Sequence, residues 1–292
     1  MKKILRKLLV LIASLAIVAG VLGGIFFIQD KKQKKEAARI EAEENASKED
    51  AKAAMTEDEI QALYKEHKKN TTLENDLEDE SDEEVAETEA ESETVAPKEE
   101  VSDSPIDWEG MWEINEDVYA WITVPGTVID YPILQHATDN TYYLNYNIDG
   151  SYGYPGCIYT ENLNAKDFSD NNTVIYGHNM KNGSMFAGLH QYEEKSFFEE
   201  HSQVLIYTPD RKYEYTIFAS YIYDDRHLLY SFDFTNEDVY ASYLENIKNM
   251  RDLSANIRSD IEIDADDKII TLATCMSNQP DKRLLVQAVL NN

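Results

Sequence analysis

The sequence predicts a mostly β domain with helical insertions, closed or sandwich-like, set behind a long apolar N-terminal run and an acidic stalk. Three observations carry this. Short β-type runs recur from residue 119 to residue 290, only two amphipathic helical stretches interrupt them, and the composition changes sharply near Pro105.

Residues 1–30 come first. No charge occurs from Leu8 to Ile28, and 21 helical residues at about 1.5 Å rise span about 31 Å, the thickness of a bilayer core. Lys2, Lys3, Arg6 and Lys7 precede the run, and Lys31, Lys32, Lys34 and Lys35 follow it. The run exceeds the ~7–15 apolar residues of a cleaved signal peptide. An uncleaved single-pass membrane anchor is expected, with the N-terminus cytoplasmic and the rest of the chain extracellular.

Residues 31–104 read as an extracellular acidic stalk, part helical and part disordered. "TEDE", Thr56 to Glu59, is a capping box ahead of Ile60, Leu63 and Tyr64. The helix it starts carries an apolar stripe that looks too thin for a core. Beyond Thr71 the chain lacks aromatic residues as far as Asp103, and it cannot bury enough surface to offset its ordering entropy. Residues 36–104 hold 25 acidic against 7 basic side chains, and residues 105–292 hold 30 against 12, within a whole-chain net charge of -29. Such a balance repels nucleic acid, whose binding requires Lys and Arg on phosphates.

The folded domain is placed at residues 105–292. "SPIDWEGMWEI" predicts a short helix burying Trp108, Met111 and Trp112. The β-type runs are "YAWITVP", "VIDYPIL", "NTVIYGH", "QVLIYT", "KYEYTIFASYIY", "KIITLATC" and "RLLVQAVL", bounded by turn signals such as "PGT" at 125–127 and "PDR" at 209–211. One helical insertion spaces Phe186, Leu189, Tyr192 and Phe197 for a single face. The other does so with Val239, Tyr243, Leu244 and Ile247.

Chemistry centres on two cysteines, Cys157 and Cys275. On the oxidising side of a membrane they permit a disulfide, although a domain of this size builds its core without a staple. Cys157, in "YPGCIY", suits a small apolar filler on a strand. Cys275 ends an apolar strand and meets a polar loop, "MSNQPDKR". A thiol near its free pKa is only about 3% ionised at pH 7 and needs an imidazole or guanidinium beside it. Of six histidines, His67 lies in the stalk, and His136, His190, His201 and His227 read as surface residues. His178 stands apart, at the end of the run "NTVIYGH" and directly after Gly177. Arg283 opens the next strand, eight positions beyond Cys275, so a terminal hairpin would return it to the thiol, where it could hold a developing oxyanion. "DADD" at 264–267 lacks the Gly and Glu of a calcium loop and reads as a turn. No glycine-rich phosphate loop and no Cys-x-x-Cys pair occurs, so neither metal nor organic cofactor is expected.

"TLATC" at 271–275 resembles the TLxTC signature of sortases, the cysteine transpeptidases of Gram-positive surfaces. "YGH" at 176–178 and an arginine after the cysteine are similar to the other members of their catalytic triad. "VPGTVIDYPILQHATDNTYYL", "NTVIYGHNMKNGSMFAGLHQY" and the helix near 236–250 resemble class B. The resemblance implies an eight-stranded β-barrel with an N-terminal helical extension. It makes Cys275 the nucleophile, His178 the acid/base and Arg283 the oxyanion or substrate clamp. It also lines the peptide groove with Asn140, Leu144, Tyr176 and Thr274. Ala273 and Met276 depart from the Ser and acidic residue common in that class. The implied reaction cleaves a C-terminal sorting motif of the NPxT type after Thr. The acyl group then passes from a Cys275 thioester to an amine of a peptidoglycan precursor or a pilin lysine, for surface protein anchoring or pilus assembly. Two other readings stay open: a surface cysteine protease with water as acceptor, and a non-catalytic wall-binding module stapled by Cys157–Cys275. A free-thiol count on the protein separates the last from the others. Two alkylatable thiols exclude the staple; none would overturn Cys275 as nucleophile.

Overall fold

The computed structural model describes residues 54–68 and 104–291. The expected anchor and the acidic stretch at 69–103 lie outside the described residues. The elements, in chain order, are α1 (Glu57–Glu66), α2 (Trp108–Ile114), β1 (Val118–Thr123), β2 (Asp130–Leu134), α3 (Tyr142–Asn145), β3 (Ile158–Thr160) and β4 (Asn172–Tyr176). A 3-10 helix (Phe186–Glu193) follows, then α4 (Lys195–Glu200), β5 (Gln203–Tyr207), β6 (Lys212–Asp224), α5 (Leu228–Ser231), α6 (Glu237–Lys248), β7 (Asn256–Ile257), β8 (Ile269–Met276) and β9 (Gln279–Leu290).

The strands pair in the order β5-β1-β2-β3-β4-β8-β9-β6, and a β5–β6 ladder closes the ring into the expected eight-stranded barrel. Closure leaves no long free edge. β2–β3 and β4–β8 are parallel, and the remaining ladders are antiparallel. The two-residue β7 merely extends β6 on its outer side.

The period of two along the last strands sorts side chains between two cores. Ile270 and Leu272 of β8, with Leu284, Val286 and Ala288 of β9, join a cluster fed by all eight barrel strands, the interior. Ile269, Ala273, Leu285 and Val289 point the other way, onto an outer cluster with Tyr240, Tyr243, Leu244 and Ile247 of α6. This second core covers one end of the outer β4–β8–β9–β6 face and leaves the end at Cys275 open.

Helix α1 corrects the stalk assignment. Its capping box forms, with Glu59 N donating to Thr56 Oγ1 at 3.3 Å and Thr56 N to Glu59 Oε2 at 2.7 Å. Ile60 and Tyr64 are 1% and 3% exposed. Tyr64 packs edge-on against Trp121 and Tyr131 at 6.0 and 5.9 Å. Met55 N donates to Asp149 Oδ2, Lys68 pairs with Asp130, and Glu57 Oε1 accepts from Asn182 and Ser184. The compact unit begins at Met55. A stripe two residues wide cannot make a core alone, but it suffices where the barrel wall supplies the opposing surface.

Other differences are local. Trp112 is 42% exposed and donates its indole N–H to Val118 O at 2.9 Å, while Trp108 and Met111 are buried as expected. The three-residue spacing of Phe186, Leu189 and Tyr192 aligns them on one face of a 3-10 helix. Phe198 is buried in place of Phe197, which stacks on His201. On α6 it is Tyr240, not Val239, that is buried.

Tyr64→Ala should lower stability by about 3–5 kcal/mol, the range for losing a buried aromatic ring. Urea denaturation measures this; a loss below about 0.5 kcal/mol, the surface range, would place α1 outside the folded unit.

Candidate active site

Strand β8 delivers Cys275 to the open end of the outer face. In the β8–β9 ladder Cys275 lies directly opposite Arg283. Opposed residues project to the same side of a sheet, with Cβ atoms about 4.5–5.5 Å apart. The hairpin thus brings the arginine to the thiol, as its spacing predicted. On the other flank β4 runs parallel to β8, with Tyr176 paired to Ala273, so His178, two residues on, is level with Cys275. Gly177 N donates to Ala273 O at 3.2 Å. An added Cβ at Gly177 would lie 2.4 Å from Ile158 Cδ1, so only glycine brings this chain so close.

Each side chain has a defined setting. The Cys275 residue is exposed. His178 Nε2 lies 2.8 Å from Leu144 O, and Tyr154 approaches the ring edge-to-face at 5.1 Å. A carbonyl only accepts, so Nε2 carries the hydrogen, and in the neutral ring Nδ1 remains as the base. Arg283 Nη1 donates to Pro280 O and Lys282 O, both at 2.9 Å. These bonds pin the side chain along its own turn. Nε and Nη2 make no hydrogen bond to a described residue, so they are left for an incoming oxyanion.

The four expected groove residues are disposed differently. Leu144 is 38% exposed, and Tyr176 is half-buried and stacks on Tyr159 at 5.4 Å. Asn140 Oδ1 accepts from Asn162 N at 2.8 Å in the loop before α3. Thr274 is buried beneath the groove, donating its hydroxyl to Gly177 O at 2.8 Å, so it ties the histidine strand to the cysteine strand. Burial first, and then the charges of Glu161 and Cys275, push the Tyr159 hydroxyl up, so it stays protonated.

Two histidines read as surface residues belong to this site's surroundings. His227 Nε2 lies 2.7 Å from Glu161 Oε1, with the Glu161 side chain only 9% exposed. His190 Nε2 lies 3.2 Å from the Cys275 carbonyl oxygen, and its Nδ1 is 2.6 Å from Glu193 Oε1. Asn179 Nδ2 donates to the same carbonyl at 3.0 Å. Glu193 three positions after His190 was a visible pairing, but nothing in the sequence tied either to a cysteine 85 residues away. His136 and His201 stack on Tyr142 and Phe197 and play local structural parts.

Both cysteines are free, which removes the staple. Cys157 is 1% exposed, its Sγ is 3.5 Å from Tyr146 O, and burial pushes its thiol up. Among the described residues no group of three His, Cys, Asp or Glu side chains is placed to hold a metal. Asp264 and Asp267 close a turn, with Asp264 N donating to Asp267 Oδ2 at 2.9 Å.

Comparison with known proteins agrees with this geometry. The family model of the sortase domain matches residues 122–291. A sortase B of Listeria monocytogenes is 35% identical over 182 residues, 62% of this chain and 72% of that protein. The sortase B of Staphylococcus aureus is 30% identical over 183 residues, 62% and 73%. The crystal structure of Clostridium perfringens sortase B superposes with a TM-score of 0.57 at 31% identity, covering 63% of this chain and 99% of that one. A Staphylococcus aureus sortase B–substrate complex gives 0.56 at 30% identity, covering 64% and 85%. Fold and site together define a β-barrel cysteine transpeptidase. The chain belongs to the sortase family, and within it to class B.

Cys275→Ala should abolish turnover while leaving the melting temperature near that of the native protein, since an exposed thiol leaves little cavity. His178→Ala should cost at least about 100-fold in rate, the lower bound for a general acid–base. Near-native rates in either variant would point to a different nucleophile or base. In the folded protein a thiol reagent should label Cys275 rapidly and Cys157 only after unfolding.

Proposed function

We propose that this chain is a membrane-tethered sortase that cuts a C-terminal sorting motif of the NPxT type after Thr and transfers the acyl group to an amine. The observation that carries the reading is the register that sets Cys275 between His178 and Arg283. A solved complex of Staphylococcus aureus sortase B with a substrate, to which this fold is similar, supports a substrate-binding role.

Each step follows from the donor set. Cys275 Sγ attacks the threonine carbonyl carbon as its proton passes to His178 Nδ1. The carbonyl oxygen gains charge and accepts from the unspent Arg283 N–H groups. Collapse breaks the C–N bond, His178 protonates the departing amine, and a thioester remains on Cys275. An acceptor amine then attacks that thioester, His178 takes its excess proton, and the released sulfur recovers it as the new amide forms. The acceptor is an amine of a peptidoglycan precursor or a lysine of a pilin subunit. Asn140, Leu144 and Tyr176 line the peptide path. The uncharged run Leu8–Ile28 supports a single-pass anchor holding the domain outside the membrane.

Incubating the protein with an NPxT peptide and a short oligoglycine amine tests this. Amide product should dominate as amine concentration rises. Hydrolysis that amine never diverts would instead make the chain a surface protease.

A further inference from the structure

The last peptide unit of β8 has lost its regular partners. Gly177 N satisfies Ala273 O from the β4 side. Carbonyls two residues apart on a strand point the same way, so Cys275 O also faces β4. There the strand has ended at Tyr176, and the His178 carbonyl has turned away to Phe186 N at 2.9 Å. On the β9 side the register shifts between Cys275 and Met276. Neither neighbouring backbone therefore fixes this unit in the regular way.

Side chains stand in its place. Asn179 Nδ2 donates to Cys275 O at 3.0 Å and to Ser277 Oγ at 3.2 Å. His190 Nε2 reaches the same carbonyl at 3.2 Å. Its Nδ1 is held by Glu193 Oε1 at 2.6 Å. Glu193 Oε1 and Cys275 O are both acceptors, so a ring N–H is what each contact calls for, and only the imidazolium would donate to both at once. The end of the 3-10 helix is itself anchored, because Asn256 Nδ2 donates to Tyr192 O and Glu193 O. The His190 side chain is 22% exposed.

We propose that His190, braced by Glu193, is a positioning residue for the nucleophile: with Asn179 it holds the Cys275 carbonyl where a β4 amide would have held it, and so fixes the thiol against His178. This rests on the reading of Cys275 as the attacking sulfur. The clamp comes from the segment 178–193 that also carries His178, so one stretch of chain positions both base and nucleophile. Its value is geometric, since misplacing reacting atoms by about 1 Å can cost on the order of 100-fold.

The test compares the full chain with His190→Ala and His190→Gln, whose amide nitrogen reaches roughly the place of Nε2 and keeps the donor. Two readouts are taken: steady-state kinetics of amide formation, and the rate of Cys275 alkylation by iodoacetamide at neutral pH. His190→Ala should lower kcat about 10- to 100-fold with KM nearly constant. It should also slow alkylation several-fold, because a thiol displaced from His178 is less ionised. His190→Gln should recover most of both at an unchanged melting temperature. Native kcat and alkylation in His190→Ala would overturn the clamp. So would a Gln variant as impaired as the Ala variant, or a change in KM alone. Slow alkylation in His190→Ala beside a native chain that makes no amide would leave the clamp standing and sink the transferase reading.

Discussion

The site depends on where one ladder stops and its neighbour continues. Parallel pairing of β4 with β8 ends at Tyr176–Ala273, while antiparallel pairing of β8 with β9 runs on through Cys275–Arg283. That offset frees the chain after β4 to rise as Gly177–His178 beside a cysteine still held by β9. Had β4 continued, its backbone would occupy the cleft. Had β9 parted earlier, the guanidinium would not return to the thiol. A slip of one residue in either register would turn one of these side chains to the opposite face.

The packing explains why the cleft stays open at one end. Helix α6 covers the outer face of β4, β8, β9 and β6 with aromatic side chains, and Tyr243 shares hydrogen bonds with Tyr221 and Gln287 beneath it. Toward Cys275 this cover gives way to polar groups. Glu161 Oε2, Tyr176 Oη and His227 Nδ1 are buried with no hydrogen-bond partner among the described residues, and the Tyr176 and His227 rings lie 6.3 Å apart.

What the sequence disclosed followed the strength of local patterns. The runs ending at His178 and Cys275 are continuous apolar β-type stretches, and the eight-residue gap from Cys275 to Arg283 is a hairpin's spacing, so these strands and the hairpin were legible. The three-residue β3 and two-residue β7 carry too few positions for a period to show. Helix α1 was seen through its capping box but misplaced, because its buried Tyr64 ring packs against Trp121 and Tyr131, far along the chain. Trp112 looked apolar enough to bury, yet its N–H reaches Val118 O with the ring left half in water. His190 was invisible for the same reason as α1: its partner is a carbonyl brought near by the barrel, and no local spacing encodes that contact.

The most direct measurement of the central claim is intact and peptide-level mass spectrometry of the protein quenched in acid during turnover of a sorting peptide. The account predicts a mass increase equal to the acyl fragment, located on the peptide containing Cys275, and released by a thioester-cleaving amine. Product formation with the adduct on any other residue would contradict it, as would turnover in which no covalent species accumulates even with the acceptor withheld.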